Sequence, residues 1–177
     1  MYYSLKNGKQ LLIRKPTPED AKAIVDLISR ADTQTTFLAR NPGEFQTTVE
    51  AESKIIEAVL ANPDAEWFLA EYENKIVGQC AVGLIRRNER FRHRADVAFV
   101  VDKSYCGMGI GGKMMEACIA WCRDRGILQI ELDVVKQNER AIRLYQSFGF
   151  EVVGTLPRAM RYPDGTYADE YYMVLCL

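Results

Sequence analysis

The chain has one histidine, no Cys-x-x-Cys pair and no excess of either charge. A lone His93 leaves little from which to build a metal centre, so no metal is expected. With 23 Lys and Arg against 24 Asp and Glu, a nucleic-acid partner is disfavoured, because neutralising phosphates needs a basic excess or a basic face. No apolar run approaches membrane-spanning length, and Met1-Tyr-Tyr-Ser-Leu-Lys6 lacks the charged head and apolar run of a signal peptide. The five cysteines (Cys80, Cys106, Cys118, Cys122, Cys176) are odd in number, and three lie in apolar patterns, which suits a reduced compartment. Repeats and low-complexity segments are absent. These absences leave a cytoplasmic protein without a membrane partner, and 177 residues suffice for one well-buried domain, 1–177.

What is present concentrates in Val97-Ala-Phe-Val-Val-Asp-Lys-Ser-Tyr-Cys-Gly-Met-Gly-Ile-Gly-Gly112. Five apolar residues, Val97 to Val101, read as a strand covered on both faces. Four glycines in six positions then open a helix. Glycine lets backbone N–H groups approach an anion without Cβ interference, and the positive end of the helix lies behind them. The pattern predicts a pyrophosphate-binding loop.

The remaining elements follow from periodicity and breakers. A strand near Gln10–Arg14 leads to Thr17-Pro18-Glu19-Asp20, a helix start with Ala21, Ile24, Val25 and Ile28 inward. Residues 31–44 read as loop. A second helix is expected over Phe45–Leu60, with Val49, Ile56 and Val59 inward. A hairpin follows: Glu66–Tyr72, a turn at Glu73-Asn74, then Lys75–Ile85. After the glycines the helix runs to Arg125, with Ile110, Met114, Cys118 and Trp121 on one stripe and Gly126 ending it. Ile127–Val135 reads as a strand. Asn138 caps a short helix carrying Ala141, Ile142 and Tyr145, and Phe150–Val153 and Glu170–Leu175 supply two late strands. The order β-α-α-β-β-β-α-β-α-β-β is an α/β layer with mixed strand directions.

Gly107 to Gly112 satisfies Gly-x-Gly-x-x-Gly, and Asp133 stands near where a ribose-binding acid would. A dinucleotide fold, however, sets its glycines directly at a strand end in its first βαβ unit. Here Asp102 to Cys106 intervene, and three strands and two helices come first. A nucleoside-triphosphate loop is excluded because no Gly-Lys-Ser/Thr follows.

The strand, the loop Tyr105-Cys-Gly-Met-Gly-Ile-Gly111 and its helix resemble the acyl-CoA pyrophosphate loop of the GNAT N-acetyltransferases, whose pattern is Arg/Gln-x-x-Gly-x-Gly/Ala. Cys106 stands where the Arg or Gln usually does, which removes one polar contact from a loop that binds mainly through backbone amides. A second block, Leu132-Asp-Val-Val-Lys-Gln-Asn138-Glu-Arg-Ala-Ile-Arg-Leu-Tyr145-Gln-Ser-Phe-Gly-Phe150, is similar to the family's Asn, Ala, Leu-Tyr and Gly-Phe segment. The tail Asp164-Gly-Thr-Tyr-Ala-Asp-Glu-Tyr-Tyr-Met173, with Arg92-His-Arg-Ala-Asp96, looks like the branch of small bacterial amino-acid or amine acetyltransferases. The core of the resemblance covers residues 66–154. It implies a mostly antiparallel twisted sheet flanked by helices, and acetyl-CoA as co-substrate. In the family, Gly107, Met108, Gly109, Ile110, Gly111 and Gly112 would hold the pyrophosphate. Phe99, Val100 and Val101 would pair with pantetheine amides, with an oxyanion-binding N–H near Val101, and Asn138 would touch the pantetheine arm. Homodimerisation is implied by the resemblance alone.

Acetyl transfer to an amine needs a base for the amine proton and an acid for the departing thiolate. Tyr145, a phenol seven residues after Asn138 on one helix face, is the candidate acid. Asp96, at the start of the glycine-loop strand, and Asp133, in the neighbouring strand, are candidates for base and ammonium binder, with Glu131 third. Arg86-Arg-Asn-Glu-Arg90-Phe-Arg-His-Arg94 reads as a solvated charged face or as a contact for the CoA 3′-phosphate or a substrate carboxylate. Cys118 and Cys122 read as packing residues, and Cys106 is not assigned as a nucleophile because direct transfer needs none. The expected activity is acetyl transfer from acetyl-CoA to a primary amine of a small molecule such as an amino acid or polyamine. A protein N-terminus as acceptor and a non-catalytic acyl-CoA sensor remain open.

Overall fold

The computed structural model describes residues 1–5 and 7–177. Its elements are β1 (Tyr2–Ser4), β2 (Gln10–Arg14), α1 (Ala21–Gln34), α2 (Val49–Leu60), β3 (Ala65–Tyr72), β4 (Lys75–Leu84), β5 (Arg94–Val101), α3 (Ile110–Asp124), β6 (Gln129–Val135), α4 (Glu139–Ser147), β7 (Glu151–Arg161) and β8 (Tyr167–Cys176). The eight strands form one sheet in the order β1-β2-β3-β4-β5-β6-β8-β7. Every neighbouring pair is antiparallel except β5 and β6, which run parallel. Among the described residues no helix is long and apolar enough to cross a membrane.

Local chemistry accounts for the boundaries. The β3–β4 turn places Glu73 and Asn74 at φ 50° and 59°, the left-handed pair that a two-residue hairpin with twisted strands requires. Before α1, the Asp20 carboxylate accepts the Thr17 backbone N–H at 2.7 Å and forms a forked pair with Arg14 at 2.6 and 2.7 Å. Gly126, at φ 67°, ends α3 as expected.

The helices divide between the two faces of the sheet. Ile24, Leu27 and Ile28 of α1 and Ile56 of α2 pack on Leu69 and Ile76. On the other face, Ile110, Met114, Cys118 and Trp121 of α3 and Tyr145 of α4 join Phe68, Cys80, Val97, Ile130, Leu132 and Phe150 in the larger core. Each fully buried side chain of this size contributes roughly 1.5–3 kcal/mol by leaving water.

Three expectations are corrected. The second helix begins at Val49, not Phe45, because the Thr48 side chain caps it by accepting from the Ala51 N–H. Val49 is accordingly 39% exposed and Glu52 faces inward in its place, while Ile56 is buried as expected. The segment read as loop from residue 31 opens with the last turn of α1, which Gln34 anchors by tertiary bonds described below. β1 was not anticipated, and β7 extends far beyond Val153 because β8 pairs along it through two irregular registers.

Candidate active site

The parallel pairing of β5 with β6 lasts only three residues, from Arg94–Gln129 to Asp96–Glu131. Beyond Asp96 the two strands part, leaving a fork in the sheet. Phe99, Val100 and Val101 stay bonded to β4 opposite Cys80, Gln79 and Gly78. Among the described residues their other edge, toward β6, has no strand partner, so it offers backbone donors and acceptors to an extended ligand.

The glycine loop sits at the open end of that edge. Gly107 and Gly109 have φ of 86° and 90°, and Gly109 is the residue immediately before α3. A Cβ at either would meet nothing within 4 Å, so it is the left-handed backbone, not crowding, that requires glycine there. The first helical bond runs from Lys113 N–H to the Gly109 carbonyl. The amides of Ile110, Gly111 and Gly112 therefore head α3 with no carbonyl ahead of them, as an anion site needs. Gly111 differs, since a Cβ there would lie 3.1 Å from the Leu144 side chain on α4. The side chain of Ile110 is buried in the core, so only its amide can serve a ligand.

The structure brings Tyr145 to this edge. Its ring lies 6.2 Å from that of Phe99 and 5.8 Å from that of Phe150. The residue is 9% exposed, and burial pushes its phenol up to about 12. It stays protonated across neutral pH. Asn138 caps α4 through its side-chain oxygen, which accepts the Ala141 N–H at 3.3 Å, and so fixes the helix that carries Tyr145.

Asp96 faces the other way. Alternation sets it on the side of Val100, which packs toward α1 and α2, whereas Phe99 packs toward α3 and α4. Acid and base candidates thus flank the fork from opposite faces. Asp133 follows Glu131 by two residues on β6 and shares the face of Asp96. Asp96 keeps an exposed face at the fork, yet partial desolvation raises its carboxyl above the usual aspartate range, and the negative charges of Glu131 and Asp133 raise it further. Asp133 is raised by burial and by Glu131, and Glu170 on β8 by burial and by Asp133. A raised carboxyl is the stronger base once ionised.

Glu131 is removed as a base candidate. It is 3% exposed and its oxygens are already taken: Arg94 forms a forked pair with it, Gln129 Nε2 donates at 2.7 Å and the Tyr172 hydroxyl donates to Oε2. Four of the five arginines in the run from Arg86 to Arg94 have partners within the chain. Arg87 and Arg92 pair with Asp64, while Arg86 and Arg94 lie over the Phe91 ring. The cluster precedes or opens β5, an eight-residue strand about 26 Å long, whereas the glycine loop follows its other end. Cys80, Cys118 and Cys122 are buried, with the Cys118 and Cys122 thiols raised, and they pack as core residues.

In the sequence Arg94 reads only as part of a charged run, and Gln129, Tyr172 and Glu170 carry no role beside the carboxylates. The polar period-two run Gln129, Glu131, Asp133 on an otherwise apolar strand was the signal for a functional face. Also missed was Asp102, 6% exposed, which accepts from Arg30, Gln34 and the Ser104 backbone. Gln34 in turn accepts the Lys103 N–H at 2.8 Å, so α1 is tied to the start of the loop. Two surface concavities of about 580 and 650 Å³ are present, one around His93 and Trp121, the other between α1 and the residues Asp102, Ser104 and Tyr105 that lead into the glycine loop. Neither brings together Asp96, Tyr145 and the amides that head α3, as the fork does.

Residues 27–150 match the family described as Acetyltransferase (GNAT) family. The chain is 32% identical over 122 residues to an L-amino acid N-acetyltransferase of Escherichia coli, covering 66% of this chain and 72% of that protein. It is 36% identical over 89 residues to a probable spermine N(1)-acetyltransferase of Bacillus subtilis subsp. natto, covering 48% of this chain and 59% of that protein. Among solved structures, an acetyltransferase of GNAT family from Streptococcus pneumoniae superimposes with a TM-score of 0.88 at 28% identity, over 94% of this chain and 99% of that one.

Proposed function

Since the chain belongs to the GNAT family of acetyltransferases, we propose that it moves the acetyl group of acetyl-CoA to a primary amine of a small molecule, by direct attack in a ternary complex. The observation that carries this reading is the fork between β5 and β6, with free amides at its end and Tyr145 and Asp96 on opposite faces.

Acetyl-CoA would supply an acyl carbon activated as a thioester. The amides from Gly107 to Gly112 would hold its pyrophosphate, and the free edge of Phe99 to Val101 would pair with the amides of its arm. A backbone N–H near Val101 would donate to the carbonyl oxygen as negative charge develops there. From the α1–α2 face Asp96 would take the proton of the attacking amine, directly or through one water. From the α3–α4 face Tyr145 would give its proton to the departing sulfur. The C–N bond forms as the C–S bond breaks, with one proton moving to Asp96 and one leaving Tyr145.

Asp133, on the face of Asp96, and Glu170, next to Asp133, have no salt-bridge partner among the described residues and favour an ammonium group on the acceptor. Arg94 is committed to Glu131 and so is not free to bind a substrate carboxylate. Acceptors with a second positive charge are therefore favoured over amino acids. The test is to incubate the purified protein with acetyl-CoA and a panel of polyamines, diamines and L-amino acids, reading free thiol and N-acetylated product. Acetylated polyamine at higher kcat/KM than any amino acid is the expected result. Absence of product from every primary amine contradicts the reading.

A further inference from the structure

Glu131 occupies the crotch of the fork, opposite Asp96 in the last pair before β5 and β6 separate. Arg94 reaches it from β5, Gln129 from its own strand and Tyr172 from β8. Arg94 Nη2 also donates to the Tyr172 hydroxyl at 3.4 Å, closing the cluster. Three strands are thus tied through one buried side chain where the sheet opens. A carboxylate with these donors cannot accept a proton from an amine without losing them, so its part must be indirect.

We propose that Glu131 is a positioning residue: clasped by Arg94, Gln129 and Tyr172, it fixes the width of the fork and sets a fixed negative charge against Asp96. The proposal rests on the reading of Asp96 as the base. To the surroundings of Asp96 its own strand contributes Arg94, β6 contributes Glu131 and Asp133, and β8 contributes Tyr172 and, next to Asp133, Glu170. β4 faces it with Gly83, and α1 meets β5 at Val100, away from Asp96. α3 covers the opposite face with apolar residues and the neutral thiols of Cys118 and Cys122. Glu131 and Asp133 both act to raise the Asp96 carboxyl, in addition to burial. Arg94, paired with Glu131, carries the opposite charge, so removing either member leaves the other uncompensated beside Asp96.

That opposition gives the test. Carboxyl-carbon NMR titration would follow Asp96, assigned by its loss in Asp96→Asn, in the full-length protein and in Glu131→Gln and Arg94→Gln. The acid limb of the kcat profile at saturating substrates would be measured alongside. Glu131→Gln should move the Asp96 midpoint and the limb to lower pH, because a negative charge is gone and Arg94 is left unpaired. Arg94→Gln should move both to higher pH, because Glu131 is left uncompensated. A loosened fork alone would change the two variants alike, and shifts of the same sign, or none, overturn the proposal. If Glu131→Gln does not fold, the upward shift in Arg94→Gln decides alone. Undiminished kcat and an unchanged limb in Asp96→Asn would instead sink the base assignment, while the NMR midpoints would still decide whether Glu131 sets the charge at Asp96.

Discussion

Two side chains carry the account at the scale of single residues. Tyr145 lies between Phe99 and Phe150, and burial alone holds its phenol at about 12, so no proton is lost from it in the neutral range. Tyr145→Phe deletes an acid without opening a cavity. We expect kcat to fall by about 10²-fold, with the urea midpoint nearly unchanged; equal loss of stability and activity would mean that Tyr145 only packs. Glu52 is the contrasting case. It is 2% exposed, its Oε1 has no partner among the described residues, and burial raises its carboxyl. A raised folded pKa means that stability declines as pH rises from the ordinary value of 4.5 through the raised one, because the folded state resists ionisation. Glu52→Met should thus gain about 1–2 kcal/mol at pH 7 and little at pH 4, measured by urea unfolding at both. A variant less stable than the parent at pH 7 would show that Glu52 has a stabilising partner.

At the scale of elements, the glycine loop makes the sharpest distinction. Gly109 and Gly111 stand two residues apart yet differ in what they need. Gly109→Ala has room but the wrong φ, so it should cost roughly 1 kcal/mol of stability and move the amides at the head of α3. Acetyl-CoA affinity, read by calorimetry, should fall at least about tenfold. Gly111→Ala presses on the far end of the Leu144 side chain and should act mainly on the α3–α4 packing, with the smaller effect on affinity. Equal losses would mean that the φ of 90° at Gly109 is not what the loop requires. This loop was legible in the sequence because glycine is a direct statement about backbone. The Glu73-Asn74 turn and the Asn138 cap were legible for the same reason, since local chemistry determines both. The end of α1 was not legible: Gln34 belongs to the helix through bonds to Asp102 and Lys103, 68 and 69 residues away. Glu131 failed in a similar way. Period-two alternation set it on the right face, but only the meeting of β5, β6 and β8 shows that three neighbours use its oxygens.

For the whole molecule, the question is how the helices on one face are joined to the loop at the end of β5. Asp102 is that joint, holding Arg30 at 3.2 Å and Gln34 at 3.1 Å while accepting the Ser104 N–H. Burial opposes its ionisation, but the bonds from Ser104, Gln34 and Arg30 win and leave the carboxyl below the usual aspartate range. A depressed folded pKa contributes stability that is complete above the unfolded value of about 3.8 and is lost as pH falls through the folded one. Asp102→Asn should therefore cost about 1–3 kcal/mol near neutrality and nearly nothing in strong acid. It should also raise KM for acetyl-CoA, because the loop loses its tie to α1; an unchanged KM and unfolding curve would show that joint to be dispensable. Every part of the scheme, from loop to fork to the two flanking protonic groups, presupposes one ligand. The most direct measurement is calorimetric titration of the purified protein with acetyl-CoA and, separately, with NADH. The account predicts saturable one-to-one binding of acetyl-CoA, weakened in Gly109→Ala, and no heat from NADH. Binding of NADH, or no binding of acetyl-CoA, would contradict it.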